Sequence, residues 1–327
     1  SYPDTGFALR PFTAAKAATE LRNMHFRDKS GFDEVIIMIK TLKKLFGGIN
    51  LTWPKLIISA IVAGILTAVI AMIPELHYTS FNAITVTLEV WILFGIIIIM
   101  NSKSNIDSAL KCFVFFLISQ PLVYLIQVPF NTYGWGIFTY YRYWFIWTLL
   151  CLPMGYIGYY MKKGKWWGYL ILLPMIVLTG YSYQTYFSDF LFNIPRYILI
   201  CLFCACMMIM YPVMIFEDRN IKAVGAVIGG IAVITLTVIG LMNPPVYSTE
   251  ILVNSEDHVF DDTYQVTLAD ETYGNVKIIY MDSVEDYFVH ADFKKAGKTV
   301  LVLESPSGEK KEFDLSIEKD TYEITQK

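Results

Sequence analysis

Histidine is scarce. The 327 residues hold four, His25, His77, His258 and His290, in separate stretches of the chain. Metal chemistry inside a membrane needs clustered His or acidic ligands, and an intramembrane protease of the aspartic kind needs paired acids in its apolar segments. Neither pattern is present, and HExxH, GxSxG and Walker sequences are missing as well. Ser119, before Gln120, has no base beside it in the sequence. Cysteine is thin too: Cys112, Cys151, Cys201, Cys204 and Cys206 all fall in apolar segments, and none follows. No disulfide framework is implied, and the close spacing of the last three reads as small buried hydrophobes, not a ligand set. No cofactor or metal is expected, and the balance leans away from an enzyme. Charged residues make up 17%, whereas 55% are hydrophobic and 16% aromatic, with a mean hydropathy of +0.47.

That excess is outside the range of soluble domains and points to an integral membrane protein. Apolar windows of about 18 to 22 residues, the length that crosses roughly 30 Å of hydrocarbon, lie near 54–74, 83–100, 112–130, 138–160, 167–186, 196–216 and 222–242. Seven spans are predicted, forming a helical polytopic bundle over 51–245. The first 50 residues are too polar for a cleaved secretion signal, so the first span is expected to direct its own insertion. Lys and Arg set the orientation. Nine precede or open the first span (Arg10, Lys16, Arg22, Arg27, Lys29, Lys40, Lys43, Lys44 and Lys55). Lys103, Lys111, Lys162, Lys163, Lys165, Arg219 and Lys222 follow even-numbered spans, against Arg142 and Arg196 on the opposite side. This bias places the N-terminus in the cytoplasm of a multi-pass plasma-membrane protein and the C-terminal domain outside.

Within residues 1–50, a tether precedes "GFDEVIIMIKTLKKLFGG". Acids in its first turn, lysines in its last and Gly47–Gly48 as a stop suit an interfacial amphipathic helix. Pro121, Pro153, Pro174 and Pro212 lie inside predicted spans and should kink them. Gly225 and Gly229 in the last span have small-xxx-small spacing, read as a close intramolecular contact.

From "NPPVYS" onward the character changes. Residues 246–327 carry eighteen Asp or Glu against eight Lys. Alternating β-branched runs ("STEILV", "TYQVTL", "NVKIIYM", "DYFVHADF", "KTVLVLE", "EFDLSIE", "TYEIT") are punctuated by "ETYGN", "KKAGK" and "SPSGE", which predicts about seven short strands in a small all-β sandwich. The segment "FKKAGKTVLVLESPSGEKKEFDLSIEK", Phe293 to Lys319, resembles the closing half of bacterial immunoglobulin-like domains; that resemblance implies an extracytoplasmic sandwich without catalysis. Asp257, Asp261, Asp262, Asp270 and Glu271 lack regular calcium-ligand spacing and read as solvated acidic loops.

Inside the second apolar run, "TVTLEVWILFGIIIIM", stands Glu89. A charge near a bilayer centre costs roughly 2.5–3.5 kcal/mol on insertion scales, which the flanking apolar residues offset at about 0.3–0.6 each. The helix can insert, but the carboxyl group needs polar company. Asn82, Thr85 and Glu89 share one helical stripe; Gln120, Tyr124, Gln127 and Asn131 repeat it on the next span. Thr179, Tyr183 and Tyr186 form a shorter third stripe, with Asp189 expected on the loop beyond. Arg142 is the natural countercharge. Two readings follow: a buried network that fixes helix packing, or an outward-facing polar cavity lined by Asn82, Thr85, Glu89, Gln120, Tyr124, Gln127, Asn131, Arg142 and Tyr183. Tyr and Trp near the outer surface, among them Tyr133, Trp135, Tyr140, Tyr143, Trp147 and Tyr181, suit an interfacial belt.

The expected function is non-enzymatic transport or binding of a polar or zwitterionic small solute or lipid. The alternative is a membrane anchor or envelope-complex subunit that presents residues 246–327 to a protein partner. A membrane-embedded transferase with Glu89 as base is a lesser alternative, since a lone acid lacks the partners such chemistry uses. No nucleic-acid partner is expected.

Overall fold

Pro54 stands in the first turn of the first long helix, where its missing amide forfeits no hydrogen bond, and the apolar run around it continues as α1, Trp53–Met72. The computed structural model describes residues 41–194 and 196–327. The predicted interfacial helix falls mostly outside them; its described end, 41–45, is helical, and Gly47 follows at φ 124°. After α1 come α2 (Ser80–Val86), α3 (Leu88–Met100), α4 (Asn105–Gln127), α5 (Phe138–Gly158), α6 (Trp166–Phe192), α7 (Ile198–Ile215) and α8 (Arg219–Met242). Side-chain caps mark two starts. Ser104 accepts from the Asp107 amide at 3.1 Å, and Asp218 accepts from Asn220 and Ile221 at 2.8 and 3.1 Å, which satisfies amides that have no partner inside the helix.

Helix occupies each of the seven predicted windows, but among the described residues four stretches are both long and apolar enough to cross a membrane: Trp53–Met72, Asn105–Phe130, Ile198–Ile215 and Arg219–Met242. α2 and α3 make a fifth only when joined, and they are bent by 47° at Thr87. The expected second span is therefore a broken helix. Helices α5 and α6 have the length, 21 and 27 residues, yet their Tyr, Trp, Ser and Thr content dilutes their hydropathy. Each of the four interior prolines lies inside a helix, as expected.

The helices pack as two triplets, α1–α4–α5 and α6–α7–α8, with the broken helix between them. Small residues allow the closest approaches. A Cβ on Gly155 would lie 2.9 Å from the Ala109 Cα, and one on Gly229 would lie 2.5 Å from the Met208 carbonyl oxygen; α8 thus uses its small-residue face against α7 within the chain. By contrast α5 and α6 barely touch. The bundle core gathers around Trp91, whose ring meets Phe94, Phe115 and Phe116. Lys111, expected in a loop, instead lies within α4, buried and paired with Asp107 one turn earlier at 2.8 Å, which supplies the partner that a buried charge requires.

The alternating C-terminal runs form seven strands: β1 (Tyr247–Val253), β2 (Gln265–Leu268), β3 (Gly274–Met281), β4 (Asp286–Phe293), β5 (Gly297–Glu304), β6 (Lys310–Glu318) and β7 (Thr321–Gln326). All pairs are antiparallel, in sheets ordered β1-β4-β3 and β2-β5-β6-β7. Val289, Ala291 and Phe293 from one sheet and Leu301, Leu303, Phe313, Leu315 and Ile317 from the other fill a core separate from that of the bundle. The period of two puts these residues on inner faces. The two-sheet sandwich is consistent with the immunoglobulin-like resemblance; the strand order is 1-4-3 and 2-5-6-7.

Candidate functional site

The break at Thr87 begins in local propensity. Ile84, Thr85, Val86 and Thr87 are consecutive β-branched residues, which lose χ1 freedom in a helix and resist continuing one. Thr87 is extended, φ −92° and ψ 179°, and serves both as the end of α2 and the start of α3. The pieces are held at their far ends. Ser80 donates to the Arg196 carbonyl at 2.8 Å and accepts from the Leu199 amide at 3.1 Å, which ties α2 to the start of α7. Asn101, just past α3, accepts from the Ile49 amide at 2.7 Å and donates to the Leu45 carbonyl at 2.6 Å.

Glu89 therefore sits in the first turn of α3, where free amides and the helix dipole favour a carboxylate, and it is 2% exposed. The Thr87 hydroxyl, which has one hydrogen, faces both the Ala83 carbonyl and Glu89 Oε2. Glu89 borders a cavity of about 360 Å³ together with Thr87, Trp147, Ser182, Thr185 and Tyr186. Thr87 and Tyr186 also line a neighbouring cavity of about 220 Å³ that continues past Asn82, Asp189 and Tyr197 to Lys319. Polar groups thus descend from the sandwich to the break in the helix.

The roof of this vestibule is the junction with the sandwich. Phe192, the last residue of α6, is 4% exposed inside the sandwich core, and its carbonyl accepts from the Ala296 amide at 2.7 Å. Lys319, in the β6–β7 turn, pairs with Asp189 at 2.8 Å, and Arg196 reaches Glu318 at 3.8 Å. Asp189, expected on a loop, is instead a buried residue of α6.

The structure brings some predicted cavity residues together and disperses the rest. Asn82 reaches the vestibule, with its buried Oδ1 unpaired. Thr85 is tied to its own helix through the Phe81 carbonyl at 2.9 Å. Gln120 is buried in α4 with Nε2 unpaired. Tyr124 packs on Phe138 and Tyr141, Gln127 donates to the Val123 carbonyl at 3.0 Å, and Asn131 accepts from the Tyr133 amide at 2.9 Å. Tyr183 faces α8, 2.8 Å from the Thr237 hydroxyl. Arg142 is exposed, and among the described residues it forms no ion pair; the expected Glu89–Arg142 pair is absent. Its helix is rotated so that this position faces outward.

Thr87, Ser182, Thr185, Tyr197 and Lys319 escaped the sequence reading. Thr87 carried a signal, a β-branched run ending two residues before an isolated acid. Ser182 and Thr185 flank the noted Tyr183 but occupy another face of α6. Lys319 had no signal, because it belongs to a different domain.

Among the described residues no three His, Cys, Asp or Glu side chains come together as a metal site. Asp261 and Asp270 instead accept from the Thr263 and Thr272 amides, each at 2.9 Å. Hydrogen bonds from those threonines hold both carboxyls below their ordinary value, and the Ser248 hydroxyl does the same for Asp292. No family model, curated protein or solved structure matches this chain.

Proposed function

We propose that this chain is a multi-pass membrane protein that binds or transports a small solute without chemical conversion, with Glu89 at the hub of its site. The observation that carries the reading is a nearly fully buried carboxylate at the break of a helix bent by 47°, bordering a cavity and lacking an ion-pair partner among the described residues. Ionisable groups within apolar segments mark solute or ion pathways, and interrupted helices are a recurrent way to place backbone termini and polar groups at mid-membrane. The two triplets beside the broken helix supply bodies that can move against each other, and α5 and α6, each with an interior proline, adjoin that seam. In this reading α5 and α6 also cross the bilayer, giving seven spans, with the lysine-rich connections cytoplasmic and the sandwich outside.

The test is access to the cavity. In sealed vesicles, Ser182→Cys should react with a membrane-impermeant thiol reagent added on the sandwich side, above the background of the native cysteines in the parent protein. Reagent on the opposite side should label it far less. Equal protection from both sides would show a sealed packing knot and overturn the reading. A second reading, an anchor that offers the acidic sandwich to a protein partner, draws support from a sandwich core built almost wholly from the C-terminal residues, with Phe192 of α6 inserted into it. It requires that loss of 246–327 abolish function while Glu89→Gln leaves it intact.

A further inference from the structure

The cavity at Glu89 does not end at its polar head. It shares Leu88, Trp147 and Leu178 with an apolar crevice walled by α3, α4, α5 and α6. That crevice shares Met154, Met175 and Leu178 with a groove of about 240 Å³ between α5 and α6, where Pro153 and Pro174 stand exposed. The three adjoin along α6 from Thr185 to Pro174, roughly 16 Å at 1.5 Å per residue, as a channel whose middle, about 60 Å³, is its narrowest part. Its upper end carries a carboxylate, hydroxyls and two tyrosines, Tyr181 and Tyr186, and the rest is hydrocarbon, indole and sulfur. It opens sideways where α5 and α6 separate.

We propose that this channel receives a single-chain amphiphilic amine, entering laterally between α5 and α6, with its ammonium group at Glu89 and its alkyl chain along Trp147, Leu178 and Met175. The proposal rests on the reading of Glu89 as a solute site and names the class of solute. Three features select that class. The buried carboxylate has no protein cation beside it among the described residues, so a ligand that brings its own positive charge completes the pair. Thr87, Ser182 and Thr185 supply hydroxyl oxygens that can accept from an ammonium, which has several hydrogens to donate. The long apolar segment would leave a compact hydrophilic solute poorly matched along most of its wall, whereas an alkyl chain fits it.

Binding can be measured with the full chain in phosphatidylcholine nanodiscs, using n-dodecylamine, with n-dodecanol as the uncharged control and empty discs as the baseline. The parent protein should bind dodecylamine saturably above empty discs, and more tightly than dodecanol. Glu89→Gln should weaken dodecylamine on the order of 100-fold and leave dodecanol unchanged. The amide keeps the shape and can donate to Thr87, which then donates to Ala83, so the variant should fold. Gly95→Leu extends into the crevice, where a Cβ meets nothing within 4 Å, and should weaken both probes. This arm stands whether or not Glu89→Gln folds. Dodecylamine binding that is absent, insensitive to Glu89→Gln, or untouched by Gly95→Leu overturns the proposal. If Ser182→Cys is still labelled from the sandwich side, only the solute class falls; if labelling also fails, the site itself falls.

Discussion

At the residue scale, the aspartates of the sandwich make a signed prediction. Asp261, Asp270 and Asp292 have carboxyls lowered from an ordinary value of 3.8 by hydrogen bonds from Thr263, Thr272 and Ser248. A depressed native pKa means that the unfolded chain binds protons more readily. The stabilisation is present above the unfolded value and is lost as pH falls through the lower folded values. The melting temperature of the sandwich should therefore hold near neutrality and decline below about pH 4, and Thr263→Val with Thr272→Val should flatten that decline. An acid limb unchanged by both substitutions would contradict the assignment. Lys319 belongs to the same scale. It is about one-third exposed, so its pair with the more buried Asp189 is partly screened. Lys319→Ala should cost about 1 kcal/mol at the junction, seen as faster hydrogen exchange around Asp189 and Phe192 and as a smaller effect in high salt.

At the element scale, the approach of α8 to α7 depends on Gly229, whose added Cβ would strike the Met208 carbonyl. Backbone cannot step aside as a side-chain tip can. Gly229→Leu should force the helices apart at a cost of about 1–3 kcal/mol, lowering the unfolding temperature in detergent. Gly230→Leu, where nothing lies within 4 Å, should leave it nearly unchanged; equal effects would deny the close contact. The same scale explains the broken helix. Its β-branched stretch weakens the helix at Thr87, and the anchors at Ser80 and Asn101 fix where each half points. The break exposes amides that favour an acid, which answers why Glu89 is tolerated inside an apolar run.

At the scale of the whole molecule, two triplets with a seam between α5 and α6 carry a sandwich that grips the end of α6. Phe192 lies in the sandwich core while its helix lines the cavity, so movement of the sandwich must be felt along α6. The site lies in the half of the bundle nearest the sandwich. This gives the two proposed functions a common geometry: the sandwich, which the second reading would offer to a partner, also roofs the vestibule.

Much of this architecture is written in patterns that need no partner. The length of apolar runs dictates helices, since backbone groups in hydrocarbon must bond within their own segment. Alternation dictates strands, because successive side chains point to opposite faces. Both the isolated acid and the residues that break its helix can be read locally. Which polar groups meet was not local: a stripe says that residues share a face, but packing sets where the face turns. Arg142 thus faces outward, Tyr183 meets Thr237, and the acid of α6 finds its cation in a turn of the sandwich. Sequence by itself determined where helices and strands lie, though not the break at Thr87 or the helix ends at Lys111 and Asp189, and the need to shelter Glu89. The tertiary structure decided the neighbours, because helix rotation and domain docking are settled by contacts between segments distant in the chain.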